Sequence, residues 1–263
     1  MDDILIWGRT IEEHDSNLMK VLERINQAKM TLNREKCIFR VTKIRFLGHI
    51  VEKGKIYADP EKTRAIVEMP APRSKYELQQ LLGSLNFLAR HIPNRSQDLE
   101  PLHDLLRKNR AFTWDVQQEA AFARLKETLS SPPVLAIYDP CRPTIVSSDA
   151  SSYGLGAVLL QLDEEAVPRP VAFASCTLTV AEKRYAQIEK EALGIAWACE
   201  KFKYYIIGLE FTIETDHKPL ILILSSKFLD DLTPRLQCIR MRLLFATRPV
   251  KISLPLIFFP ENQ

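Results

Sequence analysis

The sequence has no apolar run long enough to cross a bilayer, and no membrane partner is expected. Its opening, Met1-Asp2-Asp3, is acidic where a secretory signal is basic, so no leader of that kind is expected. No Cys-x-x-Cys pair occurs among the five cysteines, Cys37, Cys141, Cys176, Cys199 and Cys238. The odd number and wide spacing argue against a disulfide framework or a zinc ribbon and fit a reducing, intracellular setting. The five histidines are scattered without ligand-like spacing. Internal repeats and low-complexity tracts are absent. A large charge of one sign is absent too: the net charge is only +3, so no global basic field surrounds the chain.

What is present is ordinary globular material, 46% hydrophobic and 26% charged, and 263 residues suffice for two compact domains. The charge is distributed unevenly. From Lys20 to Lys75 there are fourteen Lys/Arg against six Asp/Glu, and from Arg235 to Lys251 five basic residues and no acidic one. Such stretches suit a phosphate backbone, and they equally suit solvated helix faces.

Periodicity organises the chain. Ile4 to Trp7 reads as a short strand. Thr10-Ile11-Glu12-Glu13 is a capping box, and Ile11, Leu18, Val21, Leu22 and Ile25 recur at helical spacing behind it. Strands are expected over Cys37–Val41 and Ile44–Val51, followed by a Glu52-Lys53-Gly54-Lys55 turn. Pro70-Ala71-Pro72 is a stiff link. A second capping box, Ser74-Lys75-Tyr76-Glu77, opens a helix bearing Leu78, Leu81, Leu82, Leu85 and Leu88. Helices are also expected over Asp98–Lys108 and Asp115–Leu129. After Pro132-Pro133 the pattern changes to strands at Thr144–Ser148, Gly156–Gln161 and Val171–Ser175. A long helix capped by Thr179 with Glu182 then runs to about Phe202, before a strand at Phe211–Thr215 and a short helix after Pro219. This second half reads as a mixed α/β domain.

Several carboxylates stand where chemistry is possible. Asp2 and Asp3 are adjacent, and adjacent carboxylates repel unless protonated or sharing a cation. A magnesium site and a solvated acidic terminus both satisfy that pattern. Asp149 ends one expected strand and Asp216 another, pointing away from Phe211 and Ile213. On the long helix, Ile188, Glu191 and Ile195 share a stripe, which turns Glu191 toward the sheet and Glu189 toward water. A carboxylate on an apolar stripe is costly unless paired or metal-bound, or unless it reaches out to solvent at the edge. Three such groups can hold two magnesium ions for phosphodiester hydrolysis.

Taken in order, the motifs resemble one family. Met1-Asp2-Asp3-Ile4-Leu5-Ile6 resembles the Tyr-x-Asp-Asp turn of reverse transcriptases with its tyrosine lost. Phe46-Leu47-Gly48-His49-Ile50-Val51 resembles the primer-gripping hairpin of gypsy-type LTR retrotransposons, and Leu81-Leu82-Gly83-Ser84-Leu85-Asn86-Phe87 their thumb motif. Phe112-Thr113-Trp114 and Ser131-Pro132-Pro133-Val134-Leu135 are similar to the connector that follows. Asp149-Ala150-Ser151, Tyr185-Ala186-Gln187-Ile188-Glu189-Lys190-Glu191 and Thr215-Asp216-His217-Lys218-Pro219 are similar to that group's ribonuclease H signatures.

The resemblance to a gypsy-type Pol polyprotein implies an α/β (α+β) fold: a partial reverse-transcriptase palm over 1–58, a helical thumb and connector over 59–131, and a ribonuclease H-like mixed-sheet domain over 132–263. It implies that Asp149, Glu191 and Asp216 are catalytic metal ligands, that Asp2 and Asp3 belong to a polymerase metal site, and that the cofactor is Mg2+, with Mn2+ as a substitute. The implied partners are an RNA–DNA hybrid or primer-template and the upstream palm and fingers of a polyprotein, in a cytoplasmic particle or the nucleus. Two departures stand out. The polymerase's further aspartate and its fingers would precede Met1, and the family's fourth ribonuclease H carboxylate has no counterpart in Phe245–Gln263, where only Glu261 is acidic. The chain is therefore expected to be a fragment or relic of such an element, without polymerase activity of its own and with at most weak ribonuclease H activity. The alternative is a non-enzymatic nucleic-acid-binding protein derived from a retroelement.

Overall fold

A computed structural model describes residues 4–108, 110–225, 229–246 and 256–257. Helix α1 (Ile11–Gln27) opens on the expected box: Glu13 N–H donates to Thr10 Oγ1 at 3.2 Å and Arg9 N–H to Glu13 Oε2 at 2.7 Å. None of its residues is buried. The segments 4–7 and 37–41 are not strands. They find no ladder partner among the described residues, and Trp7, Ile38 and Phe39 are exposed. A strand needs a neighbour to take its N–H and C=O groups, and β-forming composition alone supplies none.

The expected strand 44–51 is a hairpin instead, β1 (Lys43–Phe46) against β2 (His49–Glu52). Leu47 and Gly48 both take positive φ, 48° and 77°, the two-residue turn whose twist matches antiparallel strands. A like turn at Lys53-Gly54 leads into β3 (Lys55–Ala58). Helices α2 (Pro60–Val67), α3 (Lys75–Leu88), α4 (Arg95–Asp98), α5 (Glu100–Leu105) and α6 (Val116–Ser130) follow. The leucine stripe of α3 closes the helical core: Leu78, Leu81, Leu85 and Leu88 are fully buried with Leu102, Leu105 and Phe122. Beyond Pro132-Pro133, β4 (Leu135–Ala136) pairs with β3 and completes a sheet of order β1-β2-β3-β4.

The second sheet is mixed. Strand β5 (Thr144–Ala150) is antiparallel to β6 (Gly154–Leu162), which is antiparallel to β7 (Pro168–Thr177). The Thr179–Glu182 pair caps a short 3-10 turn at 182–184 rather than the long helix, because Tyr185 is extended and breaks the chain of helical bonds. Helix α7 (Gln187–Lys201) starts afresh, with Ala186 N–H donating to Glu189 Oε2 at 3.2 Å. After α8 (Lys203–Ile206), β8 (Phe211–Glu214) joins β5 in parallel. Helices α9 (Lys218–Ser225) and α10 (Pro234–Ala246) and strand β9 (Leu256–Ile257) complete the order β7-β6-β5-β8-β9. Val146, Leu159, Ile195 and Ile213 form the heart of this second core. Among the described residues no helix is long and apolar enough to cross a membrane.

Candidate functional site

The parallel pairing of β5 with β8 sets Ser147 beside Glu214. Asp149 lies two residues after Ser147 on β5, and Asp216 two residues after Glu214, just past the end of β8. Alternation explains their exposure. Val146, Ser148 and Ala150 on one strand, and Phe211, Ile213 and Thr215 on the other, turn into the core, so both aspartates turn outward and are exposed.

Glu191 approaches from α7. It is only 5% exposed, and its Oε1 accepts from Gln187 Nε2 at 2.6 Å. The same Gln187 amide donates to the Ala150 carbonyl at 2.7 Å, which clamps the first turn of α7 to the end of β5. Burial pushes the Glu191 carboxyl up to about 7, and the negative fields of Asp149 and Asp216 add to the effect. Bonds from Gln187 and the Ala150 backbone act the other way. Glu191 therefore senses both aspartates across the β5–β8–α7 junction. Glu189 does not point to free water. It turns to α10, where Arg235 Nη1 binds its Oε2 at 2.7 Å and leaves the side chain 12% exposed.

Carboxylate oxygens are hard donors of the kind that Mg2+ and Ca2+ take. A carboxyl whose charged form is disfavoured first by burial and then by two neighbouring anions is a group that a cation would ionise. By donor chemistry the residues fit a divalent ion. Yet among the described residues no three His, Cys, Asp or Glu side chains already form a cage for one. Asp2 and Asp3, the other metal candidates, lie outside the described residues, as does Glu261.

Periodicity did not single out several residues at this junction. Gln187 precedes Glu191 by one helical step of four, so its face was readable but its bond to Ala150 was not. Ser148 Oγ is buried without a hydrogen-bond partner, next to Gly194 on α7. A cleft of about 10 Å3 beside Asp149 is bordered by Asn94 and Gln97 from the helical region, a meeting that only tertiary structure produces.

Some residues of the basic stretches are paired. Arg40 binds Asp15 at 2.6 Å, and Arg45 binds Glu61 at 2.8 Å and Asp59 at 3.4 Å. Arg235 and Arg242 tie α10 to Glu189 and Glu200 of α7. Arg248 and Lys251 lie outside the described residues.

Two family models match the chain: "Reverse transcriptase (RNA-dependent DNA polymerase)" over residues 1–51 and "RNase H-like domain found in reverse transcriptase" over residues 114–213. The Transposon Tf2-3 polyprotein of Schizosaccharomyces pombe is 35% identical over 227 residues, covering 84% of this chain and 17% of that polyprotein. The Retrovirus-related Pol polyprotein from transposon opus of Drosophila melanogaster is 36% identical over 241 residues, covering 86% of this chain and 24% of that one. The chain thus spans about a fifth of the length of these relatives. Among solved structures, a foamy viral protease-reverse transcriptase in complex with double-stranded DNA superimposes with TM-score 0.77 at 19% identity, over 98% of this chain and 45% of that one. The foamy viral enzyme in complex with an RNA/DNA hybrid superimposes with TM-score 0.73 at 20% identity, over 98% and 36%. The fold is the expected one, part of a reverse transcriptase followed by a ribonuclease H-like domain, and the chain belongs to the retrotransposon Pol polyprotein family.

Proposed function

We propose that the region around β5, α7 and β8 hydrolyses the RNA strand of an RNA–DNA hybrid, with Asp149, Glu191 and Asp216 as its catalytic carboxylates. In this reading residues 1–58 are palm, 59–131 thumb and connector, and 132–263 the ribonuclease H-like domain. The parent polyprotein's synthesis of DNA on an RNA template belongs to the same proposal, as does a role for Asp2 and Asp3 in its polymerase metal site. The observation that carries the hydrolytic reading is the junction itself. Asp149 near the end of β5 and Asp216 just past the end of the neighbouring β8 each follow a paired position by two residues, and the buried Glu191 on α7 lies within the negative field of both.

Mg2+ held by Asp149, Glu191 and Asp216 would supply an activated water and stabilise charge on the phosphate and leaving oxygens. The chain's own residues do the positioning. Asp149 and Asp216 present open carboxylates to the strand. Gln187 holds Glu191 Oε1 against the end of β5. Burial disfavours the charged form of Glu191, which limits anion–anion repulsion beside Asp149 and Asp216. The test is cleavage of end-labelled RNA in a hybrid with Mg2+. Asp149→Asn should slow it by at least about 100-fold, the scale of a few kcal/mol of transition-state stabilisation. Equal rates in both proteins would remove Asp149 from the mechanism. Hybrid binding without magnesium-dependent cleavage by the wild type would favour a binding module.

A further inference from the structure

Asp149, Gly156 and Ser175 lie in one row across three strands, since Asp149 pairs with Gly156 and Gly156 with Ser175. Directly opposed residues of antiparallel strands present their side chains on one face. That face is met by residues 94–97 of the helical region. Ser96 N and Ser96 Oγ each lie 3.0 Å from Ser175 Oγ. Asn94 occupies the space above Gly156: a Cβ on Gly156 would stand 2.9 Å from Asn94 Oδ1, so glycine is what lets the two approach. Asn94, Gln97 and Asp149 border the same small cleft.

The backbone at Asn94 is unusual. Its φ of 48° and ψ of 24° are left-handed, and its side chain makes no capping bond to α4. Asparagine is among the best N-cap residues and tolerates this conformation, yet here the carboxamide is not used on the helix. It is directed to the row beside Asp149 instead. Gln97, one helical turn on, is exposed at the same cleft.

We propose that the carboxamides of Asn94 and Gln97 bind the ribose hydroxyl of an RNA strand held at Asp149, and so distinguish RNA from DNA there. A carboxamide both donates and accepts, as the 2′-hydroxyl does, and being neutral it repels neither the phosphates nor Asp149. The helical region thereby supplies a specificity element to a site whose carboxylates come from the following domain. The inference rests on the hydrolytic reading of Asp149.

The test measures binding and cleavage separately, in the full chain. Anisotropy titrations in EDTA compare an RNA–DNA hybrid with a DNA duplex of the same sequence. The double variant Asn94→Ala/Gln97→Ala should lose about tenfold in hybrid affinity, the scale of two hydrogen bonds, with duplex affinity within about twofold of wild type. Asn94→Asp also tolerates the left-handed backbone but cannot donate, so it should weaken hybrid binding at an unchanged Tm. Hybrid and duplex affinities falling together, or neither falling, would overturn the proposal. Asp149→Asn is assayed in parallel for cleavage: its failure to slow hydrolysis sinks the hydrolytic reading, whereas the selectivity of the Asn94 and Gln97 variants decides this one.

Discussion

His91 shows how burial converts an ordinary side chain into a pH-sensitive one. It is fully buried, with Nδ1 3.1 Å from the Pro133 carbonyl and Nε2 3.2 Å from His49 Nδ1. A carbonyl only accepts, so the network assigns the His91 proton to Nδ1 and makes Nε2 the acceptor for His49 Nδ1–H. Burial lowers both imidazoles, first and most; Arg90 and Lys62 add to it at His49, and His49 and Arg90 at His91. Asp59 opposes the shift at His49, and the Pro133 bond opposes it at His91. Because the folded values lie below that of a free imidazole, about 6.5, this contribution to stability is complete above that pH. It is lost as pH falls through the folded values. Urea midpoints should therefore drop between pH 7 and 5, and His91→Gln should flatten the slope. Parallel slopes in the two proteins would refute the assignment. From the sequence, His91 was one of five scattered histidines; its partners stand 42 residues away on either side.

At the scale of elements, periodicity succeeded where one element's own residues decide the outcome. Both N-terminal capping boxes form, and the α3 leucines are buried as spaced. It failed where a partner decides. The segments 4–7 and 37–41 have strand composition and no ladder, and 44–51 is folded back at Leu47-Gly48. The basic C-terminal stretch is likewise redefined by a neighbour. Arg242 Nε and Nη2 bind the Glu200 carboxylate at 3.0 and 2.9 Å, and the Arg235 guanidinium stacks on Tyr185, 4.0 Å from the ring centre. These arginines hold α10 on α7. The Arg242–Glu200 pair is nearly half exposed, so a double-mutant cycle with alanine at both positions should give a coupling of about 0.5–1 kcal/mol. A coupling near zero would mean that this pair does not help to seat α10.

At the scale of the whole molecule, the described residues form two hydrophobic cores, one among α3, α5 and α6 and one between α7 and the mixed sheet. They meet through β4 and through the Ser96–Ser175 contact. Leu85→Ala should cost about 2–5 kcal/mol, as large-to-small core changes do. Hydrogen exchange should then accelerate in residues 75–130 well before it does in β5, β6 and α7. Uniform acceleration would mean that the two cores unfold as one. By itself the sequence determined most of the helices, the succession of strands and helices along the second half, the family and the candidate carboxylates, because caps, periodic stripes and short motifs are properties of neighbouring residues. Only the tertiary structure decided that Glu191 is buried in the field of Asp149 and Asp216, that Glu189 serves α10, and that Asn94 lies against Gly156. Those are contacts between residues tens of positions apart, and their geometry follows from how sheets and helices pack rather than from any local pattern.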